Sequence, residues 1–189
     1  LYIHNMGHAT CAYLGDLLGY EYIYQSIDVP EIRVLVQNAM LESAVALHKK
    51  YDVELGGIVL HIQDLLHRFT NAALKDTCAR VGGDPGRKLS PADRLIGSAS
   101  LAIAQGETPA YIAVGAAAGL RRYIAEAEGM EQGMDSAKKV LKEVSELDEG
   151  SKLAAMILER YALILAGKTI RELLKAADEV KAAAACRVI

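Results

Sequence analysis

Asn5 and His8 stand three residues apart near the start of the chain. In a helix that spacing sends both side chains off one face. An Asn amide offers both a donor and an acceptor, and a neutral imidazole offers one of each. Together they can hold a substrate hydroxyl and orient a catalytic amine. The pair also has an ordinary reading, a half-buried His beside an Asn that caps a helix, and spacing alone favours it. His4, His8 and Cys11 follow one another at i, i+4 and i+7, a spacing that can line up three metal ligands. No fourth ligand stands nearby, so no metal is expected.

A second set of residues suits an anion. Arg87 and Lys88 end the run Val81-Gly82-Gly83-Asp84-Pro85-Gly86, just ahead of an expected helix start. Cations and backbone donors in such a place suit a phosphate. The plain alternative is a solvated charged pair. Arg68 and Asn71 can face the same cleft, or serve as a salt-bridge partner and a helix cap. Arg80 and Arg94 are read as ion-pair partners within the fold.

The elements that must position these groups are helices. The chain has 189 residues and is 52% hydrophobic, with one Phe and no Trp. Its Ala, Leu and Ile favour helix, and an all-α, multi-helix fold is expected. Asp28-Val29-Pro30-Glu31 reads as a capping box with Asp28 as N-cap. Ile32, Leu35, Val36, Ala39, Met40, Ala44 and Leu47 then recur at helical period. Leu55, Ile58, Ile62, Leu65, Leu66 and Phe69 predict a second helix, weakened at its start by Gly56 and Gly57. Asn71 is placed to cap a short third one. Val81 to Gly86 reads as the clearest loop. Pro91 and Pro109 read as first-turn prolines of two further helices, and Gly115 and Gly119 as a close-packing surface. Glu126 to Asp135 reads as a loop. Three helices follow, near Ala137 to Leu147, Leu153 to Leu165, and from Thr169 with Glu172 at its capping-box position. Gly167 is the expected stop between the last two. The Ala-rich tail after Val180 is expected to fray.

The formal charge of −3 gives no reason to expect nucleic acid as a partner. The longest apolar run, Ile112 to Leu120, is cut off by Arg121 and Arg122, too short for a membrane span. Three widely spaced cysteines, Cys11, Cys78 and Cys186, suit a reducing cytoplasm better than a disulfide framework. The first residues do not read as a signal peptide. A start at Leu rather than Met reads as a cut or engineered beginning. No Gly-x-Gly-x-x-Gly occurs, so the chain is not expected to bind a dinucleotide by itself.

The opening Leu1-Tyr2-Ile3-His4-Asn5-Met6-Gly7-His8-Ala9 resembles the active-site helix of the polyol-specific long-chain dehydrogenases. The likeness continues through Ala12-Tyr13-Leu14-Gly15, Arg68-Phe69-Thr70-Asn71, Leu74-Lys75-Asp76 and Arg80-Val81-Gly82. Asp84-Pro85-Gly86-Arg87-Lys88-Leu89-Ser90 and Asp93-Arg94-Leu95 extend it, in the family's order, and it covers residues 1 to about 165. Within the family these last segments are most similar to the branch acting on mannitol 1-phosphate.

The resemblance implies several things. The fold should be similar to the helical C-terminal domain of 6-phosphogluconate dehydrogenase. Residues 1–189 should be one substrate-side domain, with an N-terminal Rossmann domain as its partner outside this chain. A catalytic Lys is expected just before Leu1, with Asn5 and His8 completing the catalytic set. Arg68, Asn71, Arg87 and Lys88 are the expected substrate-binding residues. NAD is the expected cofactor, held mainly by the partner domain, and Lys stands where other alcohol dehydrogenases use zinc. The implied reaction takes mannitol 1-phosphate to fructose 6-phosphate in the whole protein, while this segment alone is expected to be inactive. A uronate oxidoreductase of the same family is the alternative enzyme. A helical interaction domain without catalysis is the alternative from another class.

Overall fold

Two helices with opposite compositions make the centre of the molecule. A computed structural model describes residues 1–186. The first helix, α1 (His4–Leu17), buries Met6, Ala9, Cys11, Tyr13 and Leu14. The other, α8 (Ala110–Glu126), buries an unbroken run from Ala110 to Leu120. Small residues let the two axes approach. A Cβ on Gly115 would stand 2.4 Å from Thr10 Oγ1 of α1. One on Gly119 would meet the Tyr13 ring at 2.9 Å. The close-packing expectation for Gly115 and Gly119 therefore holds.

The remaining helices wrap this pair: α2 (Ile23–Ile27), α3 (Pro30–Tyr51), α4 (Leu55–Phe69), α5 (Cys78–Gly82), α6 (Pro85–Lys88) and α7 (Ile96–Ala104) before α8, then α9 (Met134–Glu143), α10 (Lys152–Leu165) and α11 (Ile170–Ala185). Among the described residues there is no strand, only an isolated antiparallel bridge between Tyr22 and Thr77. The all-α expectation stands. No described helix is long and apolar enough to cross a membrane.

Several starts and stops follow their local chemistry. Thr169 and Glu172 form a full capping box on α11, and Gly167 ends the preceding turn at φ 70°. Asn71 Oδ1 accepts from the Ala73 N–H at 3.0 Å and caps a single 3-10 turn, Ala72–Leu74. Other starts differ from expectation. Asp28 does not cap α3. It is the last residue of α2's exit, and α3 begins with Pro30 at its first turn. The two glycines opening α4 are compensated, because the Glu54 carboxylate accepts from both of their N–H groups. Most of the expected loop at Val81 to Gly86 is helical. Asp84, at φ 54°, caps α6 through its carboxylate and leaves only Gly83 and Asp84 between α5 and α6. Pro91 opens no helix; Ser90 to Leu95 is a chain of turns and α7 starts at Ile96. Beyond Val180 the helix continues to Ala185, and the rest of the tail, Arg187 to Ile189, lies outside the described residues.

The start of α8 is capped from another helix. Glu42 of α3, 4% exposed, accepts from the Tyr111 N–H at 3.1 Å and the Ile112 N–H at 3.0 Å. Lys181 of α11 approaches the same carboxylate at 3.4 Å. Tyr111 donates its hydroxyl proton to Asp178 of α11 at 2.7 Å. Burial pushes the Glu42 carboxyl up to about 7, against the opposing pull of Lys181 and the two N–H groups. This network ties α3, α8 and α11 together, and no spacing in the sequence pointed to it.

Candidate active site at the start of α1

The exposed end of α1 carries Asn5 and His8, both half-buried. They lie one turn apart, as the spacing required. Gly7 between them lets this turn lie on α3, since a Cβ there would fall 2.2 Å from the Met40 methyl. The His8 ring belongs to a cluster of three aromatic rings. It stacks on Phe69 of α4 with centroids 4.7 Å apart and planes 14° from parallel. His4 completes the cluster, 5.6 Å from His8 and 5.9 Å from Phe69. Phe69 is the only Phe in the chain and is itself buried.

Charge gathers around this stack. His8 Nε2 faces Asp76 Oδ2 at 3.5 Å, and Asp76 is paired to Arg80. Burial pulls the His8 pKa down to about 4, although Asp76 opposes the shift. His8 is therefore a neutral imidazole at pH 7. His4 is also lowered, first by burial and then by the nearby Arg68 charge. Arg68 is exposed and has no ion-pair partner among the described residues. A groove of about 770 Å³ opens beside the stack. Leu1, Tyr2, Leu47, Tyr51, Ile58 and His61 wall it, and it meets the site at His4.

Arg87 and Lys88 sit differently. Arg87 is already paired, to Asp84 at 2.9 Å and to Asp93 at 3.1 Å. Lys88 is 4% exposed and its ammonium donates to the Gly83 carbonyl. Burial lowers its pKa, with Arg94 and Arg87 adding to the shift. Arg94 pairs with Asp93 at 2.8 Å and lies close enough to His8 to act on its charge. Tyr2 donates to the Ala92 carbonyl at 3.1 Å and ties this turn to the start of α1.

Known proteins share this domain. The model of the mannitol dehydrogenase C-terminal domain matches residues 1–172. The chain belongs to that family. A mannitol-1-phosphate 5-dehydrogenase of Caldanaerobacter subterraneus subsp. tengcongensis is 40% identical over 175 residues, which is 90% of this chain and 45% of the relative. One from Thermoanaerobacter pseudethanolicus is 36% identical over 85% of this chain and 43% of its own. The chain thus spans under half the length of these relatives. In fold it resembles Pseudomonas fluorescens mannitol 2-dehydrogenase, solved as a ternary complex with NAD and D-mannitol. That likeness has a TM-score of 0.68 at 18% identity, over 92% of this chain and 38% of that one.

Within this mannitol dehydrogenase C-terminal domain, the sequence-predicted residues divide into two groups. His8 and Asn71 line one small pocket with Phe69 and Asp76, Arg68 lies close enough to His4 to act on its charge, and Asn5 shares the α1 turn with His8. Arg87 and Lys88 belong to the neighbouring α6 turn, linked through Arg94. The set His4, His8 and Cys11 does not converge. The two imidazoles stack, while the Cys11 thiol is buried against Ser26 at 3.4 Å and pushed up to about 12 by burial. Arg80 and Arg94 have the carboxylate partners expected of them. Sequence reasoning assigned no role to Phe69 or Asp76, though both stand inside its quoted motifs. A lone Phe and a turn Asp carry no periodic signal, and only the fold brings them to His8.

Proposed function

We propose that this domain is the substrate-side half of an NAD-dependent mannitol-1-phosphate 5-dehydrogenase. The reaction is oxidation of the C5 hydroxyl of mannitol 1-phosphate, giving fructose 6-phosphate, with NAD as hydride acceptor. What carries the reading is the pair Asn5 and His8, half-buried on one helix turn in a domain 40% identical to a relative of that name. The chain's own described residues do not fit a dinucleotide, being all helical and without a glycine fingerprint. NAD is therefore assigned to a Rossmann half outside this chain. Exposed Leu1, Tyr51 and Leu60, 57%, 58% and 67% accessible, suit burial by that half.

Each residue has a part. A Lys just before Leu1 takes the C5 hydroxyl proton. Its ordinary pKa of about 10.4 must fall on burial for it to act as base. The Asn5 amide donates to the oxygen as negative charge develops there. His8, neutral and clamped by Phe69, orients the hydroxyl and the amine. Arg68 is the foremost phosphate contact because it has no ion-pair partner among the described residues; Asn71 follows it along the chain, and Arg87 and Lys88 on the neighbouring α6 turn are the further candidates. No metal is required, since the Lys supplies the base.

The test joins this chain to the N-terminal half of the Caldanaerobacter relative and follows NADH oxidation with fructose 6-phosphate. Saturable turnover is expected, and the 189-residue chain alone should give none. Turnover with fructuronate but not fructose 6-phosphate would move the assignment to the uronate enzymes. Inactivity with both, from a folded fusion, would favour a non-catalytic interaction domain.

A further inference from the structure

Asp76 is held in place from three directions, which is more than a surface turn needs. Its carbonyl accepts from the Ile23 N–H at 2.9 Å, and the Cys78 N–H donates to the Glu21 carbonyl at 2.8 Å. Tyr22 and Thr77 form the bridge between those bonds. One carboxylate oxygen, Oδ1, is taken by Arg80. The other, Oδ2, faces His8 Nε2 at 3.5 Å.

Nε2 is sealed from water and has no hydrogen-bond partner among the described residues. Phe69 packs against the ring with centroids 4.7 Å apart and restrains it from swinging. The charged or titratable groups acting on it are Asp76, His4, Arg80 and Arg94. The neutral ring has two tautomers. With the proton on Nδ1, the Nε2 lone pair would point at a carboxylate with no water between them, which is repulsive. With the proton on Nε2, the N–H lies beside the negative charge, which is attractive.

We infer that Asp76 is a positioning residue that fixes His8 as the Nε2–H tautomer and leaves Nδ1 as a hydrogen-bond acceptor. The inference rests on the proposed active site for its meaning, and it divides the work there. His8 accepts from a substrate hydroxyl or from the Lys amine. It does not donate to the developing alkoxide, so that donation falls to Asn5. The dyad resembles the pairing by which a carboxylate sets the tautomer of a metal-bound or catalytic His, here without a metal.

The experiment is a long-range proton–nitrogen correlation spectrum of the chain labelled with ¹⁵N-histidine at pH 7, with His8→Gln assigning the signal. The expected spectrum shows Nε2 protonated and Nδ1 bare, favoured by about tenfold, through attraction of the N–H to the Asp76 carboxylate across 3.5 Å. A protonated Nδ1, or an even mixture, overturns the inference. Asp76→Asn should lose the preference, since its amide can donate to Nε2, and Asp76→Glu should keep it. An unchanged tautomer in a folded Asp76→Asn would also overturn it. If that variant does not fold, the parent spectrum decides alone. The spectrum needs no turnover, so loss of the enzyme reading and loss of the Asp76 role are separate results.

Discussion

The start of α1 and the start of α8 are both places where polar side chains gather on small-residue helices, yet they are built in opposite ways. At α8, Glu42 is met by two backbone N–H groups and Lys181, and Tyr111 by Asp178. Every strong group there has a partner. At α1, His8 Nε2 makes no hydrogen bond and has only the Asp76 carboxylate 3.5 Å away, Asn5 makes no side-chain hydrogen bond among the described residues, and Arg68 has no ion-pair partner there. Buried polar groups normally find partners. A satisfied network holds a fold, and an unsatisfied one beside a groove is kept for something else. The same contrast separates the two cationic motifs. Arg87 and Lys88 looked the better phosphate site by sequence, but their charges are largely spent on Asp84, Asp93 and the Gly83 carbonyl.

That contrast can be broken by substitution. The largest effect expected is at the satisfied site. Glu42→Ala leaves two buried N–H groups and Lys181 without their acceptor and should cost about 3–5 kcal/mol of stability in urea unfolding. Glu42→Gln, which keeps one acceptor, should cost clearly less. If neither variant is destabilised, the network is not a structural one.

At the unsatisfied site, Arg68→Ala in the joined enzyme should raise KM for fructose 6-phosphate about 10–100-fold with little change in kcat. That is the range of a lost charge-assisted hydrogen bond. Lys88→Ala should also raise KM more than kcat, but by less than Arg68→Ala. The reverse order would return the phosphate to the α6 turn.

A separate effect is a pH dependence of stability. The folded His8 binds its proton less tightly than the unfolded chain, with a pKa of about 4 against the ordinary 6.5. Protonation below 6.5 therefore favours the unfolded state. Stability should rise with pH from about 4 to 6.5 and level off above, by about 3 kcal/mol from this group. Glu42, raised to about 7, acts with the opposite sign from 4.5 to 7. The difference between parent and His8→Gln isolates the histidine. Parallel pH profiles for the two would show that His8 is not sealed as described.

The sequence showed helices well where local chemistry decides them. Thr169 with Glu172, Gly167 and Asn71 all act as their types demand. It misled where two signals compete. Asp28 has the right side chain for an N-cap, but Pro30 starts α3 two residues later and leaves Asp28 to α2. The Gly and Pro between Val81 and Gly86 looked like a loop, yet Asp84 in the left-handed region caps a short helix there. The pair Asn5 and His8 was legible because one helix carries both. Phe69, Asp76 and Glu42 were not, since each meets its partner only across the fold.

The most direct measurement is the rate of NADH-linked fructose 6-phosphate reduction by the joined enzyme carrying Asn5→Ala. Losing a donor to a developing oxyanion should lower kcat about 10²–10³-fold, with the melting temperature and KM nearly unchanged. A kcat equal to that of the parent would contradict the placement of the catalytic face on this turn of α1.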